Sequence, residues 1–374
     1  MCEKLLTLPG TGVLANDCLR QQTFSPPNNL YALLDYYGFK SIPQKDALRF
    51  LLKQAGVNNV DDLLDTPATN KDALFKTILT FVKVTQEHFT IRSGTKERWD
   101  ISTPNWIQDP KTQPEILNAL AKLNIMNEIP SSFKQPDVIC ILGATKNVMV
   151  SRLKYAGDLF SRGLLPATHL VLLTGERYAI ADKNGIPLDG SQQELEKLAK
   201  KINKHPSQLT ETDLMKETYQ DSKLYNKLPT EVIDTPKGDL PRPTTETTVI
   251  KFIAWLRQHP EISSVTFVSN QPHVKYQEAI ITQVFEQEKI PVKFEVIGQG
   301  YDVSIDDKNI GKKITYLIGE LGSQIWAITP KLLETMQLEI TDPTLTQEFM
   351  TLYKKHPLLY SNLKTNFKPK YPLT

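Results

Sequence analysis

Between residues 136 and 302 short apolar runs recur, and each stops at a glycine or a polar turn. Residues 137–142 (DVICIL) end at Gly143, 169–174 (HLVLLT) at Gly175, 265–268 (VTFV) at Ser269-Asn270, and 292–297 (VKFEVI) at Gly298. A weaker run, 231–234 (EVID), ends at Thr235-Pro236. Runs of this length bounded by turn residues read as buried strands feeding loops. Helical periodicity lies between most of them. Strand alternating with helix predicts an α/β fold: a Rossmann-like parallel sheet with helices on both faces, because parallel neighbours need a long crossover. Ligands of such sheets sit outside the carboxyl ends of the strands, so the residues just after each run are the ones to watch.

The flanks carry a different pattern. Residues 30–39 (LYALLDYYGF), 44–56 (QKDALRFLLKQAG) and 70–89 repeat apolar positions at i, i+3 and i+4, with Gly56 placed as a C-cap and Asn70 as an N-cap. Residues 113–124 form a further helix with Pro114 in its first turn. Residues 91–102 are expected to hold a short extended piece, and Tyr36, Tyr37 and Trp99 to be core. Beyond 302, residues 311–329, 330–338 and 345–355 read as three more helices. The expected division is therefore a mainly helical region at 1–130, the sheet domain at 136–302, and a helical extension at 303–374 packing back on the first.

Composition narrows the classes. Forty-four basic against 42 acidic residues give a net charge of +2, with no basic run, so no nucleic-acid partner is expected. Cys2, Cys18 and Cys140 are too few and scattered for a disulfide framework or a zinc site, and no metal ligands are assigned. No apolar run approaches the ~18 residues of a membrane span, and the first fifteen residues lack the apolar core of a secretory signal. A cytoplasmic protein is expected, with export by another route left open.

The post-strand residues supply the chemistry. Gly143, Gly175, Gly298 and Gly300 permit a close backbone approach or simply tight turns. After Gly143, Ala144, Thr145 and Lys146 lead into a helix carrying Arg152; after Gly175 come Glu176 and Arg177. Lys146, Arg152 and Arg177 can bind phosphate or carboxylate, or form surface salt bridges. Glu211, Asp213 and Glu246 can serve as base, hydroxyl acceptor or metal ligand, or as ordinary acids at helix starts. Thr244 and Thr245 open another helix, and His273 follows Ser269-Asn270 where an imidazole could do acid–base work. An insertion at 178–209 lies over the strand ends, where a lid or a neutral loop is equally at home. Neither G-x-G-x-x-G nor G-x-x-x-x-G-K-[ST] occurs, which disfavours a dinucleotide dehydrogenase and a P-loop NTPase.

Taken in order, these pieces resemble the YdcF-like (SanA/ElyC) group of Rossmann-like domains, largely of unknown function, over roughly residues 136–302. The group's L-G-G strand end is similar to Leu142-Gly143-Ala144, its following helix Arg to Arg152, and its S-G-G to Thr174-Gly175-Glu176. Its E-A pair matches Glu211-Thr212, and its T-x-E-N matches Thr244-Thr245-Glu246-Thr247, with Thr in place of Asn. T-S-x-x-H-x-x-R corresponds to residues 269–276, with His273 kept and Tyr276 in place of Arg. The resemblance implies a polar strand-end cleft and a nucleotide-like ligand, S-adenosylmethionine among them.

Two readings follow. In the first, a small nucleotide, adenosyl or phosphorylated ligand binds through Gly143, Ala144, Thr145, Lys146, Arg152, Gly175, Glu176, Arg177, Thr244, Thr245, Ser269 and Asn270. His273, Glu246 and Glu211 are then the catalytic candidates for hydrolysis or group transfer. In the second, the altered positions Thr247 and Tyr276 mark a non-catalytic binding protein whose helical region receives a protein partner.

Overall fold

The computed structural model describes residues 28–89, 102–180, 189–240, 242–336 and 342–354. The extended piece expected at 91–102, with Trp99, falls almost wholly outside the described residues, as does most of the loop at 181–190. Five strands form one sheet: β1 (Val138–Leu142), β2 (His169–Gly175), β3 (Thr230–Thr235), β4 (Ser264–Asn270) and β5 (Lys293–Gln299). Their spatial order is β3-β2-β1-β4-β5, with every neighbouring pair parallel. This is the α/β architecture expected from the alternating runs. The chain winds outward from β1 to β3, then returns to start β4 on the other side of β1. The topological switch point therefore lies between β1 and β4.

Period-two alternation sorts the strand residues onto two faces. Ile139, Ile141, Leu170 and Leu172 pack under α7 (Lys146–Ser161), α8 (Gln192–Lys201) and α9 (Glu211–Gln220). Val138, Cys140, Leu142, Val171 and Phe267 pack under α10 (Thr245–Leu256) and α11 (Val274–Gln287). Cys140 is fully buried, as a small apolar residue in this strand should be, and burial pushes its thiol well above the ordinary value.

The flanking helices share one apolar core. It joins α2 (Ile42–Gln54), α4 (Lys71–His88) and α6 (Gln113–Lys122) to α12 (Ile310–Thr335) and α13 (Pro343–Lys354). Ser41 caps α2 and Asn70 caps α4 through side-chain acceptors, and Gly56 takes the left-handed conformation after α2 (φ +81°). The minor helices α1 (Leu30–Leu33), α3 (Val60–Asp65) and α5 (Asn105–Gln108) complete this part.

Two expectations need correction. Helix α1 ends at Leu33, because residues 34–38 turn toward Gly38 (φ +89°), where a helix cannot continue. Residues 311–329 and 330–335 form one helix rather than two, with Pro330 inside it. Its missing N–H forfeits a bond, yet Leu332 and Leu333 stay buried with Ile325, and that packing outweighs the break. Among the described residues no helix is long and apolar enough to cross a membrane.

Candidate functional site

Arg152 stands at the switch point. It lies on the second turn of α7, 1 % exposed, and its guanidinium joins the two strands that part there. Nη1 donates to the carbonyls of Leu142 (2.7 Å) and Gly143 (2.9 Å) at the end of β1, while Nε donates to Oδ1 of Asn270 (2.9 Å) at the end of β4. The Asn270 amide in turn donates to the Gln271 carbonyl. The arginine expected to hold a ligand thus ties two strand ends together. Ser269, fully buried, donates to Gln277 of α11 and belongs to the same packing.

Glu211 opens α9 directly over β1. Thr210 caps this helix through the Asp213 N–H, and Asp213 returns the bond to the Thr210 N–H while pairing with Lys204. Asp213 is therefore an ordinary capping acid. The neighbouring Thr212 hydroxyl donates to Asp234 (2.7 Å) and meets the Thr174 hydroxyl (2.8 Å), pinning the helix start to β2 and β3. So fixed, the Glu211 carboxylate lies against Gly143: a Cβ on that glycine would stand 2.1 Å from Glu211 Oε1. The Leu173 carbonyl, 2.7 Å from the same Cβ, is backbone and cannot give way, which is why the first strand ends in glycine. Arg177 is the nearest cation, 3.9 Å from Glu211 Oε2, and its carbonyl accepts the Glu211 backbone N–H.

Burial dominates the electrostatics here. It pushes the Glu211 carboxyl up to about 7, against the pull of Arg177, Arg152 and Arg242 and with a further push from Asp189. Asp189, from the insertion, is also raised by burial, although the Lys146 N–H and the charges of Arg177 and Lys146 oppose the rise. Both of its carboxylate oxygens accept the Lys146 backbone N–H (2.7 and 2.6 Å) at the start of α7. A carboxylate of the protein thus takes up the helix N-terminus where a phosphate would bind in a nucleotide fold. The Lys146 ammonium extends elsewhere, 3.2 Å from Glu217 and 3.7 Å from Glu194. Ala144 and Thr145 form the loop between, and Thr145 makes no side-chain cap.

On the β2 side Gly175 accommodates Pro243, whose ring would lie 2.6 Å from an added Cβ. Glu176 fixes the same turn, accepting the Tyr178 hydroxyl (3.1 Å) and the Lys237 N–H (3.2 Å). Thr244 caps α10 in a reciprocal box with Thr247. Thr245 begins that helix and Glu246 is buried in its first turn. Capping explains Thr244 and Thr247 without a ligand.

His273 is neither solvated nor part of the Glu211 group. Its side chain is 8 % exposed and bonds to α12: Nδ1 lies 2.9 Å from Glu320 Oε2, and Nε2 lies 2.6 Å from Tyr316 Oη.

The structure therefore brings Gly143, Lys146 (through its backbone), Arg177 and Glu211 together, adds Asp189, and sets Arg152 at their edge. Sequence reasoning named the insertion but passed over Asp189, whose only signal was an acid beside Gly190. Tyr316 and Glu320 were also passed over, although two polar residues at i, i+4 on an apolar helix are a readable anomaly. Among the described residues no group of three His, Cys, Asp or Glu side chains is arranged to hold a metal. Comparison with protein-family models, with curated proteins and with solved structures gives no match to this chain.

Proposed function

We propose that the cleft outside β1 and β2 binds a small adenosyl- or nucleotide-like ligand and that Glu211 acts there as general acid–base in hydrolysis or group transfer. The observation that carries this reading is the part-buried Glu211 carboxyl, set against Gly143 with Arg177 no nearer than 3.9 Å, whose proton affinity desolvation raises to about 7. A carboxyl titrating near neutral pH can both give and take a proton, and such tuning is what acid–base chemistry asks of it. Asp189 would accept hydroxyl hydrogen bonds from the ligand, and Arg177 would hold an anionic or carboxylate group. Since Asp189 already engages the start of α7, a ligand rich in hydroxyls, such as S-adenosylmethionine or a nucleoside, suits the cleft better than a polyphosphate. The order of motifs, which resembles that of YdcF-like domains, points the same way.

A thermal-shift screen of nucleosides, nucleotides, nucleotide sugars and S-adenosylmethionine tests this. A ligand at a hundred times its dissociation constant adds about 2.7 kcal/mol, a shift of several degrees. The expected result is a hit that disappears in Arg177→Ala, together with turnover that follows a group titrating near 7. A blank across the panel favours the second reading, a non-catalytic scaffold that receives a protein partner. The observation on that side is that Arg152, Asn270 and His273, three expected site residues, all make hydrogen bonds within the protein.

A further inference from the structure

Across the junction of sheet and helical region, three side chains are linked in series. Tyr316 and Glu320 lie at i and i+4 on α12, so both meet the same imidazole, that of His273. An ionised carboxylate can only accept, so Glu320 requires the proton on Nδ1. In the neutral ring the Nε2 lone pair is then left to accept the Tyr316 hydroxyl at 2.6 Å. The order carboxylate, imidazole, hydroxyl is that of a nucleophilic triad: an acid orients a base, and the base can take the proton of a nucleophile. Glu320 is 2 % exposed and His273 is nearly as buried, whereas Tyr316 is only partly buried. The ring of Tyr301, from the loop after β5, stands beside the Tyr316 ring with centroids 5.8 Å apart.

We infer that Tyr316 is a nucleophile activated by His273 and Glu320, at a site separate from Glu211, and that it accepts an activated acyl group from an ester or thioester. The phenolic oxygen bonds to the carbonyl carbon, and the bond to the leaving oxygen or sulfur breaks with its electron pair. The phenolic proton passes to Nε2 and from there to the leaving group. Glu320 stabilises the imidazolium formed between these steps. Tyr301 offers a flat apolar wall to the acyl chain.

The test uses the full chain and benzenesulfonyl fluoride, a probe that leaves a stable adduct: the sulfur–oxygen bond forms, fluoride leaves, and the phenolic proton goes to His273. Site-resolved mass spectrometry then compares the modification rate of Tyr316 with that of Tyr225, which is 41 % exposed. Exposure alone favours Tyr225. The expected result is Tyr316 reacting faster by about a hundredfold, the lower range of general-base assistance. In His273→Gln and Glu320→Gln that advantage should vanish while circular dichroism stays native. A Tyr316 that reacts no faster than Tyr225, or as fast in folded His273→Gln, overturns the inference. The comparison within the wild-type protein needs no variant, so it decides the matter even where a substitution unfolds the chain.

Discussion

The two halves of the strand-end surface use similar residues to opposite effect. Around β4 and β5, buried and part-buried polar groups are joined by hydrogen bonds: Arg152 to Asn270, Ser269 to Gln277, His273 to Glu320 and Tyr316. Gln271 adds two bonds to the carbonyls of Asn124 and Asn127 in the helical region. Around β1 and β2, by contrast, Asp189 is buried and Glu211 part-buried with their nearest charges at a distance or opposed, and both carboxyls are raised. One half is a joint that fastens the helices to the sheet. The other keeps a carboxylate in surroundings that disfavour its charge, a cost that packing alone does not require. Topology places both halves at the carboxyl end of a parallel sheet; electrostatics distinguishes them.

The largest effect should come from the joint. Arg152→Met keeps the volume of the stem but removes three charge-assisted hydrogen bonds from buried and part-buried acceptors at Leu142, Gly143 and Asn270. A hydrogen bond to a charged group is worth about 1.5–3 kcal/mol and the acceptors are left unpaired, so the loss should be about 3 kcal/mol or more. Urea unfolding measures it. A loss below about 1 kcal/mol, the worth of a single ordinary hydrogen bond, would mean that Arg152 is not structural, and the contrast between halves would fail.

Next comes Glu211, where the effect has the opposite sign at high pH. The folded carboxyl titrates at about 7 against an ordinary value of 4.5, so between these values the folded state binds more protons than the unfolded. Stability therefore falls as pH rises from 4.5 through 7, by roughly 3 kcal/mol in all. Glu211→Gln has no such group to ionise. Above pH 7 it should be the more stable protein, and the two denaturation curves should draw together as pH falls toward 4.5. Parallel curves across that range would show that Glu211 is ordinary.

The same contrast explains what was legible in the sequence. Strands, helices and the glycines at strand ends follow from local pattern, since an apolar run stopping at Gly143 or Gly175 needs no knowledge of its neighbours. Glu211 could be named because it is an acid at the start of a helix. Its raised proton affinity could not, because that depends on burial over Gly143 and on the approach of Asp189, far away in the chain. His273 was read as a cleft residue for the same reason. A position after β4 is local information, but the direction of its ring is set by α12, whose Tyr316 and Glu320 reach back across the fold. Arg152 had the right position, and its role turned on partners from two strands that only the sheet order brings together.

The two smallest predictions form a matched pair around Glu211. Asp189→Asn removes a charge at the start of α7 while leaving an oxygen for the Lys146 N–H, so the stability lost should be about 1 kcal/mol. Because Asp189 raises the Glu211 carboxyl, its neutralisation should let that carboxyl titrate lower. Arg177→Ala does the reverse. Arg177, 3.9 Å away, is the strongest influence holding the Glu211 value down, so its removal should send it higher still. Carbon-13 titration of the Glu211 carboxyl resolves the two directions, whatever the change in stability. Displacements of opposite sign would show that the acid is set by its charged neighbours as well as by burial. If neither variant moved the titration, burial alone would account for the value, and Asp189 and Arg177 would drop out of the proposed acid–base group.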